Sequence, residues 1–208
     1  RVLGSAWPQH FNRAVAETTY ANIQKVGLPT WSDQDQALAK GIQKELGQRE
    51  SGLASRIGPI GTGTPLAQNT GGGSDDIGDV SWAVPTVTLQ YPSNIPGLPG
   101  HNWANAISMA TPIAHKGVMA GAKVQAMTML DILSKPEVVT AAWDYYKNVQ
   151  TAQTKYTPLI RAQDSPAIEL NKPTMDKYKA DLKKFYYDPS RFKSYLEQLN
   201  IQYPTLKK

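Results

Sequence analysis

The stretch GDVSWAVPTVTLQ, residues 78–90, decides the fold class. Its run of valines and threonines predicts a strand. Pro85 lacks an N–H and places an edge, a bulge or a strand end in the middle of it. RVLGSAWPQHF, residues 1–11, reads as a further short strand running into a turn at Trp7–Pro8. With strands at both places the expected class is α/β.

Around these strands the sequence predicts helices. Asn12 is a candidate N-cap for a helix over about 13–26, closed by Gly27. Ser32 caps a second, Asp33 and Asp35 suit the positive end of its dipole, and Gly47 stops it. From Gln48 to Asp76 the chain holds too much Gly, Pro and Ser to form an element, and loops of that length in compact chains are commonly functional or mobile. YPSNIPGLPGHNW, residues 91–103, is a second such loop. Pro112 then suits the first helical position of a helix over about 112–134, with Thr111 as a cap and Val118, Ala122, Met129 and Leu133 near one stripe. A helix restarts at Pro136 and runs to about 152. Two more are expected over 173–187 and 189–199, broken at Asp188–Pro189, with Tyr178, Leu182, Phe185, Leu196 and Leu199 packed inward.

The 208 residues, 40% hydrophobic and 19% charged, suffice for a buried core. The absence of cysteine removes disulfides, thiolate nucleophiles and cysteine-based zinc sites. No apolar run approaches the length of a transmembrane helix, and residues 1–20 lack the apolar core of a signal peptide. The net charge of +5 is local: residues 171–208 carry nine Lys/Arg against four Asp/Glu, and the rest of the chain is balanced. That tail, with lysines among Tyr and Phe, can bind nucleic acid, but a solvated helix pair is the favoured reading.

Three places carry chemistry. His115 stands in the first turn of its helix, where the macrodipole favours neutral imidazole, the form that binds metal. Gly117, Ala120, Gly121 and Ala122 leave room beside it. On the residues alone it reads first as a histidine hydrogen-bonded at a helix start, since one histidine is not a metal site. GGGSDDIGDVSW, residues 71–82, offers a backbone nest or capping aspartates, and fits neither a Walker loop nor a calcium loop. In GHNW, residues 100–103, His101 can meet a carboxylate or polarise a carbonyl, and Trp103 either floors a pocket or anchors the loop. His10 reads as structural.

Taken in order, S-x-D-x-G-D-V-S-W (74–82), GHNWAN (100–105) and I-A-H-K-G (113–117) resemble the aminobenzoyl-glutamate utilisation protein B group. That group belongs to the co-catalytic zinc peptidases and amidohydrolases, which include carboxypeptidase G and the plant auxin-conjugate hydrolases. FNRAVAETTYANIQKVGLPTWSDQDQALAKGIQ, residues 11–43, resembles the helix pair that follows the group's inserted domain. The resemblance covers about residues 1–134 and leaves 135–208 as a basic helical extension.

The resemblance implies the C-terminal portion of a metallopeptidase-type catalytic domain, a mixed sheet flanked by helices. It implies that His115 ligates one of two divalent metal ions, zinc first and manganese second. Asp79 and Ser81, with Asp76, would shape the substrate pocket, and His101 would contact the substrate. The activity implied is hydrolysis of an amide between an acyl group and an amino acid. The family's other metal ligands and its general-base glutamate come from an N-terminal half, and no segment before residue 74 supplies them. That half is therefore an expected partner, in an enzyme that forms homo-oligomers when intact, and the chain by itself is expected to be inactive. The alternative is a non-catalytic helical module whose basic tail contacts a protein or nucleic acid.

Overall fold

The computed structural model describes residues 2–61 and 75–201. Eight α-helices occur among them: α1 (Arg13–Val26), α2 (Asp33–Glu45), α3 (Ile77–Ala83), α4 (Trp103–Met109), α5 (Pro112–Ser134), α6 (Pro136–Tyr145), α7 (Lys172–Leu182) and α8 (Tyr195–Gln198). A π-helical turn, Tyr146–Gln150, continues α6.

The first two helices start and stop where local chemistry dictates. Asn12 Oδ1 accepts the Val15 N–H at 3.2 Å, and Gly27 closes α1 at φ 73°. Ser32 and Asp35 form a reciprocal capping box, Asp35 N–H to Ser32 Oγ at 3.2 Å and Ser32 N–H to Asp35 Oδ2 at 2.8 Å. Gly47 follows α2 at φ 64°.

The α/β expectation, with its mixed sheet, is overturned: among the described residues there is no strand. Residues 77–83, the first half of the expected strand, are α3. Asp75 Oδ1 accepts the Ile77 N–H at 3.1 Å and so satisfies one orphan donor of that helix's first turn. Pro85 disfavours the α region for the residue before it. Val84 accordingly turns to φ −144°, ψ 155° and ends α3. Residues 85–90 form no regular element; among the described residues only Val84 N–H to Val80 O and Asn12 N–H to Thr86 O bond backbone to backbone there, so no ladder forms. Residues 2–11 are likewise unpaired as strand.

The chain packs into two compact units over their described residues. One comprises residues 1–28, 55–91 and 118–164, the other 29–54, 92–117 and 165–208. In the first, α1 packs on α6. Buried Asn12 donates to Ala142 O at 2.9 Å and to Gln150 Oε1 at 2.7 Å, and buried Asn22 donates to Asp131 Oδ2 at 2.8 Å. These amides would cost about 1–3 kcal/mol each if left unpaired. The second unit has an apolar core of Leu38, Ala39, Leu53, Ile95 and Ile113, flanked by Trp31, Ile42 and Leu98. Burying such aliphatic side chains stabilises by roughly 1.5–3 kcal/mol apiece. Gln43, fully buried beside this core, accepts the Gly52 N–H at 2.8 Å and donates to Pro96 O at 2.9 Å.

The C-terminal expectation is met in part. α7 forms, but of the helix over 189–199 only Tyr195–Gln198 is α-helical. Asp188 diverts the start by accepting the Ser190 N–H and Oγ–H at 3.0 and 2.5 Å. Tyr178, Leu182, Phe185 and Leu199 are exposed and Leu196 is half-buried; the main packing of α7 against other elements is with the short 3₁₀ turns on either side of it. No helix among the described residues is long and apolar enough to cross a membrane.

Candidate functional site

His115 lies at the fourth position of α5 and is exposed. Its neighbours face the other way. Ile113 and Ala114 are buried, and Lys116 Nζ reaches the buried carboxylate of Asp35 at 2.5 Å. Thr111 turns its hydroxyl to Ser108 O at 2.6 Å, where a cap had been expected. The room left by Gly117 and Gly121 is used by the chain itself. An ideal Cβ on Gly117 would stand 2.2 Å from Pro92 O and 2.4 Å from Ser93 Cα, and one on Gly121 would stand 3.3 Å from Tyr91 Cβ. Gly117 and Gly121 are thus explained by backbone and ring packing within the chain.

His101 shares the second unit with His115. It adopts φ 50°, a left-handed conformation uncommon for a non-glycine residue, and its side chain is exposed. The strain places it at the turn before α4, where Asn102 Oδ1 accepts the Ala104 N–H at 3.0 Å. Trp103 is not the buried anchor of this loop: it is 64% exposed.

Asp79 and Ser81 belong to the first unit and are already engaged. Asp79 accepts the Trp7 N–H at 3.1 Å on one oxygen and the Tyr156 hydroxyl at 2.9 Å on the other. Burial, and then this carboxylate, push the Tyr156 phenol pKa up. Ser81, fully buried, accepts the His10 N–H at 3.0 Å and donates to Gly78 O at 2.6 Å. Gly78 is required there, because an ideal Cβ on it would lie 1.7 Å from Trp7 O. Both side chains fasten residues 7–10 to α3. Asp76 is exposed and its side chain makes no cap; the capping carboxylate is Asp75. The glycines at 71–73, read as a nest, lie outside the described residues.

Around Trp82 stands a cluster that spacing in the sequence gives no sign of. Its indole is buried, donates to Pro8 O at 2.8 Å, and packs at 5.2 Å centroid distance against both Trp7 and His10. The His10 carbonyl accepts from Gln150 Nε2, while its Nδ1 is buried with no partner. Burial holds the His10 imidazole below its ordinary pKa. A groove of about 290 Å³ lies elsewhere in the same unit, lined by Val15, Val87, Leu89, Met129, Ile132 and Leu133 among others. The groove residues carry no titratable group.

The described residues contain no group of three or more His, Asp or Glu able to hold a metal ion. A catalytic zinc generally takes three protein ligands. His115 can thus offer at most one ligand toward a centre that the described residues do not complete.

Comparison with known proteins gives one relationship. The chain is similar to a p-aminobenzoyl-glutamate hydrolase subunit of Escherichia coli (strain K12), at 26% identity over 174 residues covering 71% of this chain and 35% of that protein. It spans about a third of the length of that curated relative. No family model matches the chain, and no solved structure matches it. The similarity relates the chain to one subunit of a hydrolase.

Proposed function

We propose that this chain is one portion of an amide-hydrolysing enzyme related to p-aminobenzoyl-glutamate hydrolase, acting on a small molecule in which an amide joins an acyl group to glutamate or a similar amino acid. The observation that carries this reading is the similarity to the hydrolase subunit over 71% of the chain. The order of the motifs around Asp79, His101 and His115 supports it.

In this reading His115 and His101 are the contributing side chains. Both are exposed, and both stand where local backbone fixes them, one in the first turn of a 23-residue helix and one in a left-handed turn. His115 contributes one imidazole to a two-metal centre, zinc first, whose remaining ligands and general base come from outside the described residues. His101 meets the substrate carboxylate or amide carbonyl. Asp79 and Ser81 act through the fold, holding residues 7–10 against α3. The partner is the remaining portion of the hydrolase, in an assembly that contains more than one copy.

The test is glutamate release from p-aminobenzoyl-glutamate with added zinc or manganese. The 208-residue chain alone is expected to show none. Losing a general base alone typically costs about 10²–10⁴-fold. The longest polypeptide its gene encodes, or the chain combined with the remaining portion, is expected to turn over, and His115→Ala in that enzyme to abolish turnover and metal uptake. Robust hydrolysis by the purified 208-residue chain, or an unaffected His115→Ala enzyme, overturns the assignment.

A further inference from the structure

Helix α5 carries the stripe Val118, Ala122, Ala126, Met129 and Leu133, spaced by threes and fours in the pattern of a packing face, with Met119 beside Val118. That face is bare. Val118 is 60% exposed, Met119 62%, Met129 56%, Leu130 64% and Leu133 76%. The helix is not free to turn it inward, because the opposite face is already used: Ala120, Val124 and Thr128 are buried. Met129 and Leu133 also line the groove beside α1, so the stripe and the groove form one continuous apolar surface within the first unit. Monomeric proteins rarely leave a contiguous apolar surface of this kind uncovered.

We propose that this face of α5, together with the groove, is the seat of the remaining portion of the hydrolase polypeptide, which covers it with an apolar surface of its own; this rests on the hydrolase reading above. Three observations select that occupant. Between Val118 and Leu130 the helix carries a single charged residue, Lys123, so it lacks the basic face that a membrane surface or a nucleic acid would require. The stripe spans about four helical turns. One helix pair of that length buries less than the roughly 1,200 Å² of a stable specific interface, which disfavours a second copy docked through this face alone. The related hydrolase protein extends well beyond the match, with 35% of it aligned, so in that protein there is chain enough to cover such a surface.

The chain has no cysteine, so single reporters are clean. Ala126→Cys and Leu133→Cys report on the stripe, and Asn148→Cys, exposed in the π-helical turn after α6, is the control. Maleimide labelling is followed in the isolated 208-residue chain and in the longest polypeptide its gene encodes. The expected result is at least about tenfold slower labelling at 126 and 133 in the longer polypeptide, with 148 unchanged, because thiol reactivity follows exposure. Equal labelling in both overturns the docking face. If the longer polypeptide then still releases glutamate from p-aminobenzoyl-glutamate, the hydrolase reading stands and only the surface is wrong; if it is inactive too, both fall. Protection that rises with the concentration of the isolated chain identifies a second copy as the occupant and also overturns the proposal.

Discussion

Two glycines four residues apart on α5 should respond to the same substitution with opposite sign. Alanine in place of a mid-helix glycine is intrinsically favourable by about 0.5–1 kcal/mol. At Gly117 the added Cβ would meet two backbone groups of the 92–93 loop, Pro92 O at 2.2 Å and Ser93 Cα at 2.4 Å. Ordinary contact begins near 3.5 Å, so the loop must withdraw by about 1 Å, and backbone cannot swing aside as a side-chain tip can. Overpacking of this kind costs about 1–3 kcal/mol; with two backbone contacts the upper end applies. The net for Gly117→Ala is about 2 kcal/mol destabilising. At Gly121 the nearest atoms are Tyr91 Cβ at 3.3 Å and Cγ at 3.6 Å, and a shift of a few tenths of an ångström suffices. Gly121→Ala should therefore be neutral to about 0.5 kcal/mol stabilising. Thermal unfolding followed by circular dichroism at 222 nm should place Gly117→Ala roughly 4–8 °C below the parent, with Gly121→Ala at or above it. A Gly117→Ala chain as stable as the parent would refute the reasoning.

Asp35→Ala removes the carboxylate half of the capping box, which accepts the Ser32 N–H, and the buried partner of Lys116, and should cost about 2–4 kcal/mol in urea unfolding; Lys116→Met leaves the capping box intact and should cost less. Asn12→Ala strips the α1 cap and the bonds to Ala142 and Gln150 and should cost about 2–4 kcal/mol; a loss under about 0.5 kcal/mol would contradict the network. His10 supplies a pH dependence. Its folded pKa lies below the usual 6.5, so as pH falls through 6.5 the unfolded chain takes the proton first. Stability is full above that pH and declines toward the lowered folded value. His10→Phe should flatten this dependence between pH 7 and 5, and a chain equally pH-sensitive without His10 would assign it elsewhere.

What could be read in the residues was what is decided locally. Asn12 and Gly27 bracket α1, Ser32 with Asp35 and Gly47 bracket α2, and Pro112 opens α5, because caps and left-handed stops act over three or four residues. The stretch at 78–90 misled because strand propensity only becomes a strand when a second backbone pairs with it. With no ladder among the described residues, Asp75 and Pro85 set the two ends of a short helix and left the rest outside any regular element. The stripe at 118–133 was legible as a pattern, but which side of α5 finds cover depends on contacts from α1 and the loops. The site divides in the same way. His115 and His101 both stand exposed. Asp79 and Ser81 proved to be fastened to Trp7 and His10, about seventy positions away, a pairing that no local spacing announces.

The bonds of Asn12 also set a schedule. The amide that caps α1 finds its other partners, Ala142 and Gln150, 130 and 138 residues further along the chain. At translation rates of about 5–20 residues per second, those partners are made roughly 7–28 s after Asn12 itself. For that interval α1 can be capped but not seated, with Val15 and Thr19, buried in the finished unit, facing solvent or the ribosome surface. A nascent chain halted before residue 142 should therefore leave α1 open to proteolysis however well its local signals are written, and release past residue 150 should close it.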